Sequence, residues 1–152
     1  MENAQRYTRP IASEVLASIQ GKDQLIAHLG HWPSFHDFEV VQMLLERPVI
    51  SAADSDLKAV FLVFDGSRGV DDPERRQGTA EILFEGITDL RIEGFGHQNP
   101  VMGLSITQAG ERIMQVAWGG TCMQHEVAFR CSRISIVRVV DLNPFRRRCI
   151  TV

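Results

Sequence analysis

The chain has 152 residues, of which 44% are hydrophobic and 23% are charged, and its formal net charge is −3. Folding at this length can bury a core without metals or disulfides, and the composition excludes an intrinsically disordered protein. No apolar run approaches the roughly 18 residues that span a bilayer, and no signal peptide is visible, so we expect a cytoplasmic protein that has no membrane partner.

The N-terminal part of the chain predicts a loose arm and one short helix. The first twelve residues or so are mostly polar. We assign residues 1–21 to an arm that precedes a single domain, residues 22–152. Within residues 22–29 the apolar side chains recur at helical spacing, and Gly30 provides the left-handed residue that commonly ends a helix. We expect this helix to pack on a sheet.

After Pro33 the pattern changes to seven strand candidates that are rich in β-branched and long apolar residues. In chain order they are FEVVQMLLER, LKAVFLVFDG, TAEILFEG, VMGLSIT, RIMQVAWGG, HEVAFRC and RISIVRVV. Turn residues separate them, which favours antiparallel pairing. The sequence therefore predicts an α+β fold that is mainly antiparallel β-sheet, with about seven strands in one curved or two packed sheets and a short N-terminal helix.

The densest polar cluster follows the predicted helix and allows two interpretations. His36, Asp37 and Glu39 offer an imidazole and two carboxylates, as in a metal-dependent or acid–base enzyme. On a strand, however, Asp37 and Glu39 would share one face while His36 points to the other, which separates the obvious ligands. The other interpretation is structural: Trp32 and Phe35 fill the corner between helix and sheet. We therefore expect no catalytic residue, no metal and no cofactor, and keep the enzyme as the alternative.

A second polar segment, GFGHQNP at residues 94–100, contains glycines that permit a tight backbone and amides that can bond main chain. It lacks the GxGxxG spacing of a dinucleotide site. The segment is either a loop that closes on itself through Gln98 and Asn99 or a recognition loop.

The cysteines and the C-terminal arginines indicate neither a metal site nor a nucleic-acid site. Cys122, Cys131 and Cys149 follow no metal spacing, and Cys131 lies in an apolar strand pattern where a free thiol packs as a small hydrophobe. Arg146–Arg148 is too short a basic run for a nucleic-acid surface in a chain of negative net charge, so we expect no nucleic-acid partner.

Three segments resemble, in motif order and spacing, the immunity protein 50 family of bacterial polymorphic toxin systems, over about Lys22 to Val140. They are LIAHLGHWPSFHDFEV, LRIEGFGHQNPVMGLSI and EVAFRCSRISIVRV. The matching residues are Trp32, Pro33, Ser34, Phe35, His36, Asp37, Glu39 and Val40 in WPSFHDxEV, His97, Gln98 and Asn99 in the QN loop, and Cys131 in the late FxC strand. Pro100 departs from the pattern, which has an apolar residue there.

The resemblance implies a protein that is not an enzyme and that binds and neutralises a cognate toxin; it does not predict the oligomeric state. An inhibitor matched to one toxin needs contacts that differ from those of its relatives, so we expect the shared motif residues to be structural. Residues 37–93 hold thirteen acidic and six basic residues. The partner-binding candidates are the acids in this stretch that are mostly on loops, Asp54, Asp56, Asp65, Asp71, Asp72 and Glu74. A solvated loop that only aids solubility is the competing interpretation.

Overall fold

The computed structural model describes residues 7–49, 55–120 and 125–142, which form two short helices and seven antiparallel strands in one sheet. The helices are α1 (Ser13–Ser18) and α2 (Lys22–Leu29). The strands are β1 (Glu39–Glu46), β2 (Ser55–Phe64), β3 (Gln77–Glu93), β4 (Leu104–Gly110), β5 (Ile113–Gly119), β6 (Glu126–Cys131) and β7 (Arg133–Asp141). The predicted α+β class and the seven strands are confirmed, and α1 is an additional helix.

The strand order is β1-β2-β3-β6-β5-β4, and β7 also pairs with β3. Strand β3 is 17 residues long and belongs to both halves of the sheet, one formed with β1, β2 and β7 and the other with β4, β5 and β6. Its first half pairs with β2 and β7, and its second half pairs with β6. Strands β6 and β7 follow one another along β3, with Glu126 opposite Glu93 and Asp141 opposite Gly78. One long ladder therefore connects the two halves.

The sheet curls so that the two ends of the strand order meet. Glu39, at the start of the first strand in the order, forms an antiparallel bridge with Pro100, just before the last. The ladder changes direction near Gly86, which has a positive φ of 70°. A Cβ at this glycine would lie 2.5 Å from the Ser132 side-chain oxygen, and Ser132 donates its amide to the Glu85 carbonyl at 2.9 Å. Only a residue without a side chain fits this bend.

Aromatic rings from both halves of the curled sheet form the centre of the core. Trp118 of β5 is fully buried, and its ring centroid lies 5.4 Å from Phe61 of β2, 5.8 Å from Phe84 of β3 and 5.7 Å from Phe129 of β6. The contacts with Phe61 and Phe84 join β5 to strands that are not its neighbours in the order, which requires the inner faces of the two halves to pack on each other. The pairs of Trp118 with Phe61 and Phe129 are edge-to-face, and such pairs add about 0.5–1.5 kcal/mol each beyond their burial.

Helix α2 and the residues before it lie along β7, whereas α1 contacts β4. Gln20, between α1 and α2, donates its amide to the Ile134 carbonyl at 3.1 Å and accepts from the Ile136 amide at 2.7 Å, which extends the sheet by one parallel bridge. Helix α2 ends at Gly30 in the left-handed conformation, with φ 89°, as the sequence predicts. Among the described residues, no helix is long and apolar enough to cross a membrane.

Residues 7–21, which we assigned to a loose arm, pack against the rest of the chain. Tyr7 is buried and donates its hydroxyl to Glu126 Oε1 at 2.8 Å, while Val15 and Ile19 belong to the core. These apolar groups lie on the sheet because α1 and the Gln20 bridge bring the segment alongside it. Whether residues 22–152 fold as a separate domain stays a prediction.

Deleting residues 1–12 should lower the free energy of unfolding by about 2 kcal/mol, because the buried ring of Tyr7 is lost. Tyr7→Phe is the control: it keeps the ring and removes only the hydrogen bond to Glu126, for about 1 kcal/mol or less. Urea unfolding measures both values. Equal stability of the truncated and full-length chains would show that the segment contributes nothing to the fold.

Candidate functional site

The two motifs that are separated in the sequence lie side by side in the fold. Asp37 donates its amide to the Val101 carbonyl at 2.9 Å, Val101 donates to Phe38 at 2.8 Å, and Val40 donates to Asn99 at 3.0 Å. We call residues 32–40 together with residues 94–101 the motif junction. It joins the start of β1 to the chain that enters β4, which is where the curled sheet closes.

Asn99 is buried at the centre of the motif junction and uses its side-chain amide fully. Its Oδ1 accepts from the Gly96 amide at 2.8 Å, and its Nδ2 donates to the carbonyls of Gly96 at 3.0 Å and Val40 at 3.2 Å. Its own backbone amide donates to Glu39 Oε1 at 3.3 Å. The loop therefore closes on itself through Asn99, whereas Gln98 remains exposed.

The corner before β1 combines backbone strain with close aromatic packing. Phe35 has a φ of 64°, which a bulky residue rarely adopts and which costs about 1–3 kcal/mol. Its ring is almost completely buried, with centroids 5.6 Å from Trp32, 5.2 Å from Phe38 and 5.3 Å from Phe61. Burying the ring offsets the strained backbone. Trp32 is only partly buried, whereas the next residue, Pro33, is buried.

The sequence pattern treats His36, Asp37 and Glu39 as strand residues whose side chains alternate between two faces. This prediction is wrong, because β1 begins only at Glu39 and the preceding residues form a turn. Asp37 has a φ of 62°, which lies outside the extended region of a regular strand. Its Oδ2 lies 3.0 Å from His36 Nδ1, and the two side chains are 69% and 49% exposed, a setting in which an ion pair contributes about 1 kcal/mol at most. Ser34 accepts from the His36 amide at 3.3 Å, which is a local turn contact.

The three groups of the alternative enzyme do not converge. The Glu39 carboxylate accepts from Asn99, while His36 and Asp37 pair with each other in water. Within the described parts of the chain, no group of three His, Cys, Asp or Glu side chains could hold a metal ion.

Two further groups with reactive side chains, His125 and Cys131, are buried. His125 accepts from Trp118 Nε1 at 3.2 Å; burial lowers the pKa of His125, and a backbone hydrogen bond with Glu93 opposes that shift. Burial raises the pKa of the Cys131 thiol to about 12, against a smaller opposing effect of a backbone hydrogen bond with Arg133. The thiol therefore stays protonated and packs as a hydrophobe. Cys122, Cys149 and Arg146–Arg148 lie outside the described residues.

Two of the acidic candidates hold backbone in place. Asp56 accepts from the amide of Gly86 at 3.2 Å, at the bend of β3. Asp65 is buried at the start of the loop between β2 and β3, where its Oδ1 accepts from the Ser67 hydroxyl at 2.6 Å and from the Ser67 amide at 3.0 Å. These two hydrogen bonds hold the pKa of Asp65 below its usual value. Asp54 lies outside the described residues.

The remaining three acids belong to the same loop. Asp72 pairs with Arg68 at 3.2 Å and accepts from the Glu74 amide at 2.8 Å, so its carboxylate shapes the loop. Asp71 and Glu74 are exposed. The guanidinium of Arg75 lies 4.4 Å from the centre of the Phe64 ring, so a cation sits beside these acids. The structure thus leaves Asp71 and Glu74 as the acids most accessible to a partner.

An exposed apolar set on β1 was not among the predicted site residues. Val41 is 48% exposed, Leu44 is 38% exposed and Leu45 is 51% exposed. Successive strand residues point to opposite faces, so adjacent leucines on a strand are a signal that one of them leaves the core. The sequence contains this signal in MLLE, residues 43–46, but it does not show whether a neighbouring element covers the exposed leucine.

Asn99→Ala should lower the free energy of unfolding by about 2–4 kcal/mol, because it removes three side-chain hydrogen bonds, one of which is the buried bond to the Val40 carbonyl. The neighbouring Gln98→Ala is the matched control and should change it by about 0.5 kcal/mol or less. Urea or thermal unfolding of the two variants provides the comparison. Similar small losses for both would mean that Asn99 does not hold the junction together.

Comparison with known proteins identifies the family. The model of the family described as Immunity protein 50 matches residues 21–141, a range that contains both halves of the motif junction and all seven strands. No curated protein and no solved structure matches the chain. The resemblance found in the sequence motifs is confirmed, and this chain belongs to the immunity protein 50 family.

Proposed function

We propose that this chain is an immunity protein that binds a cognate bacterial toxin of a polymorphic toxin system and neutralises it by masking it in a protein–protein complex. Membership of the immunity protein 50 family is the observation that carries the proposal. The complex forms in the bacterial cytoplasm, where the toxin would otherwise act on the cell that makes it or on its kin.

The geometry favours binding over the alternative, a small metal-dependent or acid–base enzyme. General acid–base catalysis needs groups within hydrogen-bond reach of one substrate atom. The exposed side chains of His36 and Asp37 pair with each other, Glu39 accepts from the Asn99 backbone amide, and the Cys131 thiol is buried and protonated. Finding stoichiometric metal bound through His36 in protein purified without chelator would favour the enzyme instead.

Co-expression with the toxin domain encoded immediately upstream should restore growth of cells that the toxin domain alone arrests. The purified pair should elute as one complex in size-exclusion chromatography. A toxin domain from an unrelated system, expressed at the same level, is the control and should remain toxic. Continued growth arrest without complex formation, at confirmed expression of folded protein, would refute the proposed function.

We further propose that the acids Asp54, Asp56, Asp65, Asp71, Asp72 and Glu74 contribute to the attraction of a basic toxin surface. Summed charge of one sign raises association rates by long-range steering, even where individual acids also have partners within the protein. Asp71 and Glu74 are the two whose exposed side chains are best placed for this role.

Reversing Asp71 and Glu74 to Lys should slow association with the toxin domain by about 10-fold at low salt and reduce its salt dependence. Asp72 is retained in this variant because its carboxylate shapes the loop. Glu14→Lys combined with Glu111→Lys is the matched control, since it changes the net charge equally at exposed positions elsewhere. Stopped-flow mixing measures the rates, and identical rates for the two double variants would exclude the loop.

A further inference from the structure

Within the part of the chain that the structure describes, strand β1 is unpaired along most of one edge, which we call its free edge. It stands at one end of the strand order, and the bridge between Glu39 and Pro100 covers only its start. The pairing of β1 with β2 is interrupted by a bulge between Val40 and Gln42. From Val41 to Glu46, no strand within the described residues pairs with the outer edge. Six residues of strand present about 20 Å of unpaired backbone.

Apolar side chains flank this free edge on both faces of the sheet. Leu45 lies opposite Leu57, which is fully buried, so Leu45 extends the inner face beyond the core. Leu44 lies opposite Lys58 on the outer face, where Leu62 is also exposed. Soluble proteins usually protect long edge strands with lysine, proline or inward-pointing charges. Strand β1 has charges only at its two ends, which indicates that its edge is covered when the protein acts.

Negative charge is concentrated at the far end of the same edge. Glu46 lies directly opposite Asp56 on β2, an arrangement of like charges that destabilises a sheet. Together with Arg47 and Pro48, these acids line an open cleft of about 310 Å³. A lysine or arginine from a partner would relieve the repulsion between the two carboxylates.

A second copy of this chain fits the edge less well. In the antiparallel register that pairs residues 41–46 with themselves, Glu46 would stand opposite Val41 of the other copy. A second copy would therefore bring no cation to the two facing carboxylates of Glu46 and Asp56. The charge pattern favours a partner strand that is apolar in the middle and basic at the end that reaches Glu46.

We propose that the edge of β1 from Val41 to Glu46 is the toxin-binding surface, and that the toxin contributes an extended segment that joins the sheet as an additional strand. Main-chain hydrogen bonds along the edge supply affinity, and alternate side chains supply specificity. The segment places apolar side chains on Leu44 and Leu45 and a lysine or arginine in the cleft beside Glu46 and Asp56. This inference rests on the proposed function.

Leu44→Lys combined with Leu45→Lys tests the surface, because the two lysines repel a basic segment and remove its apolar contacts. The dissociation constant for the upstream toxin domain should rise by at least about 100-fold. Ile113→Lys combined with Val137→Lys is the matched control: it charges two apolar residues that are 42% and 48% exposed on other strands. The control should change the constant by less than about 3-fold. Isothermal titration calorimetry measures the affinity.

Hydrogen exchange of the unsubstituted protein, with and without the toxin domain, tests the same edge even if the double variant fails to fold. The outward amides of residues 41–46 should exchange at least about 10-fold more slowly in the complex, because strand pairing protects them. Amides of β7, on the other side of β3, should be unchanged.

The possible outcomes distinguish a failure of the proposed β1 surface from a failure of the proposed function. If the unsubstituted protein neither binds the toxin domain nor restores growth, the proposed function fails. If it binds while the β1 variant keeps full affinity and the exchange of residues 41–46 is unchanged, only the β1 surface is overturned. Protection of these amides in the free protein would also overturn it: at dimer mass a second copy occupies the edge, and at monomer mass another segment of this chain does.

Discussion

The bend of β3 at Gly86 is the constraint on which the rest of the fold depends. One 17-residue strand pairs with β2 and β7 before the bend and with β6 after it, so the change of direction brings the two halves of the sheet face to face. Trp118 can then pack between the rings of Phe61 and Phe84. A side chain at Gly86 would collide with Ser132, and Asp56 secures the Gly86 amide.

The motif junction closes the curled sheet and also decides where β1 becomes free. Its hydrogen bonds end at Val40, which donates to and accepts from Asn99. The bulge at Val41 follows immediately, and beyond it the chain that leads into β4 no longer runs beside β1. The same residues that stabilise the scaffold therefore define the boundary of the edge that we assign to the toxin.

Acidic residues in this protein serve two roles that their sequence positions do not distinguish. Asp65 and Asp72 organise the loop between β2 and β3, and Arg68 lies within ion-pair distance of both. Glu46 instead faces Asp56 across two strands beside an open cleft. Hydrogen bonds within the loop hold the carboxylates of Asp65 and Asp72 in place. Glu46 and Asp56 instead repel each other across adjacent strands, and Arg47 is the basic residue among those that line the cleft beside them.

The sequence by itself determined the seven strands, the helix that ends at Gly30 and the burial of Cys131, because these depend on side-chain periodicity and on the conformational freedom of glycine within a few residues. Only the tertiary structure decided that Asn99 meets Val40, that His36 and Asp37 lie in a turn and not on a strand, and that Leu44 borders a free edge. Strand pairing joins residues far apart in the chain, and the pattern of one strand does not say which of its edges a neighbour will cover.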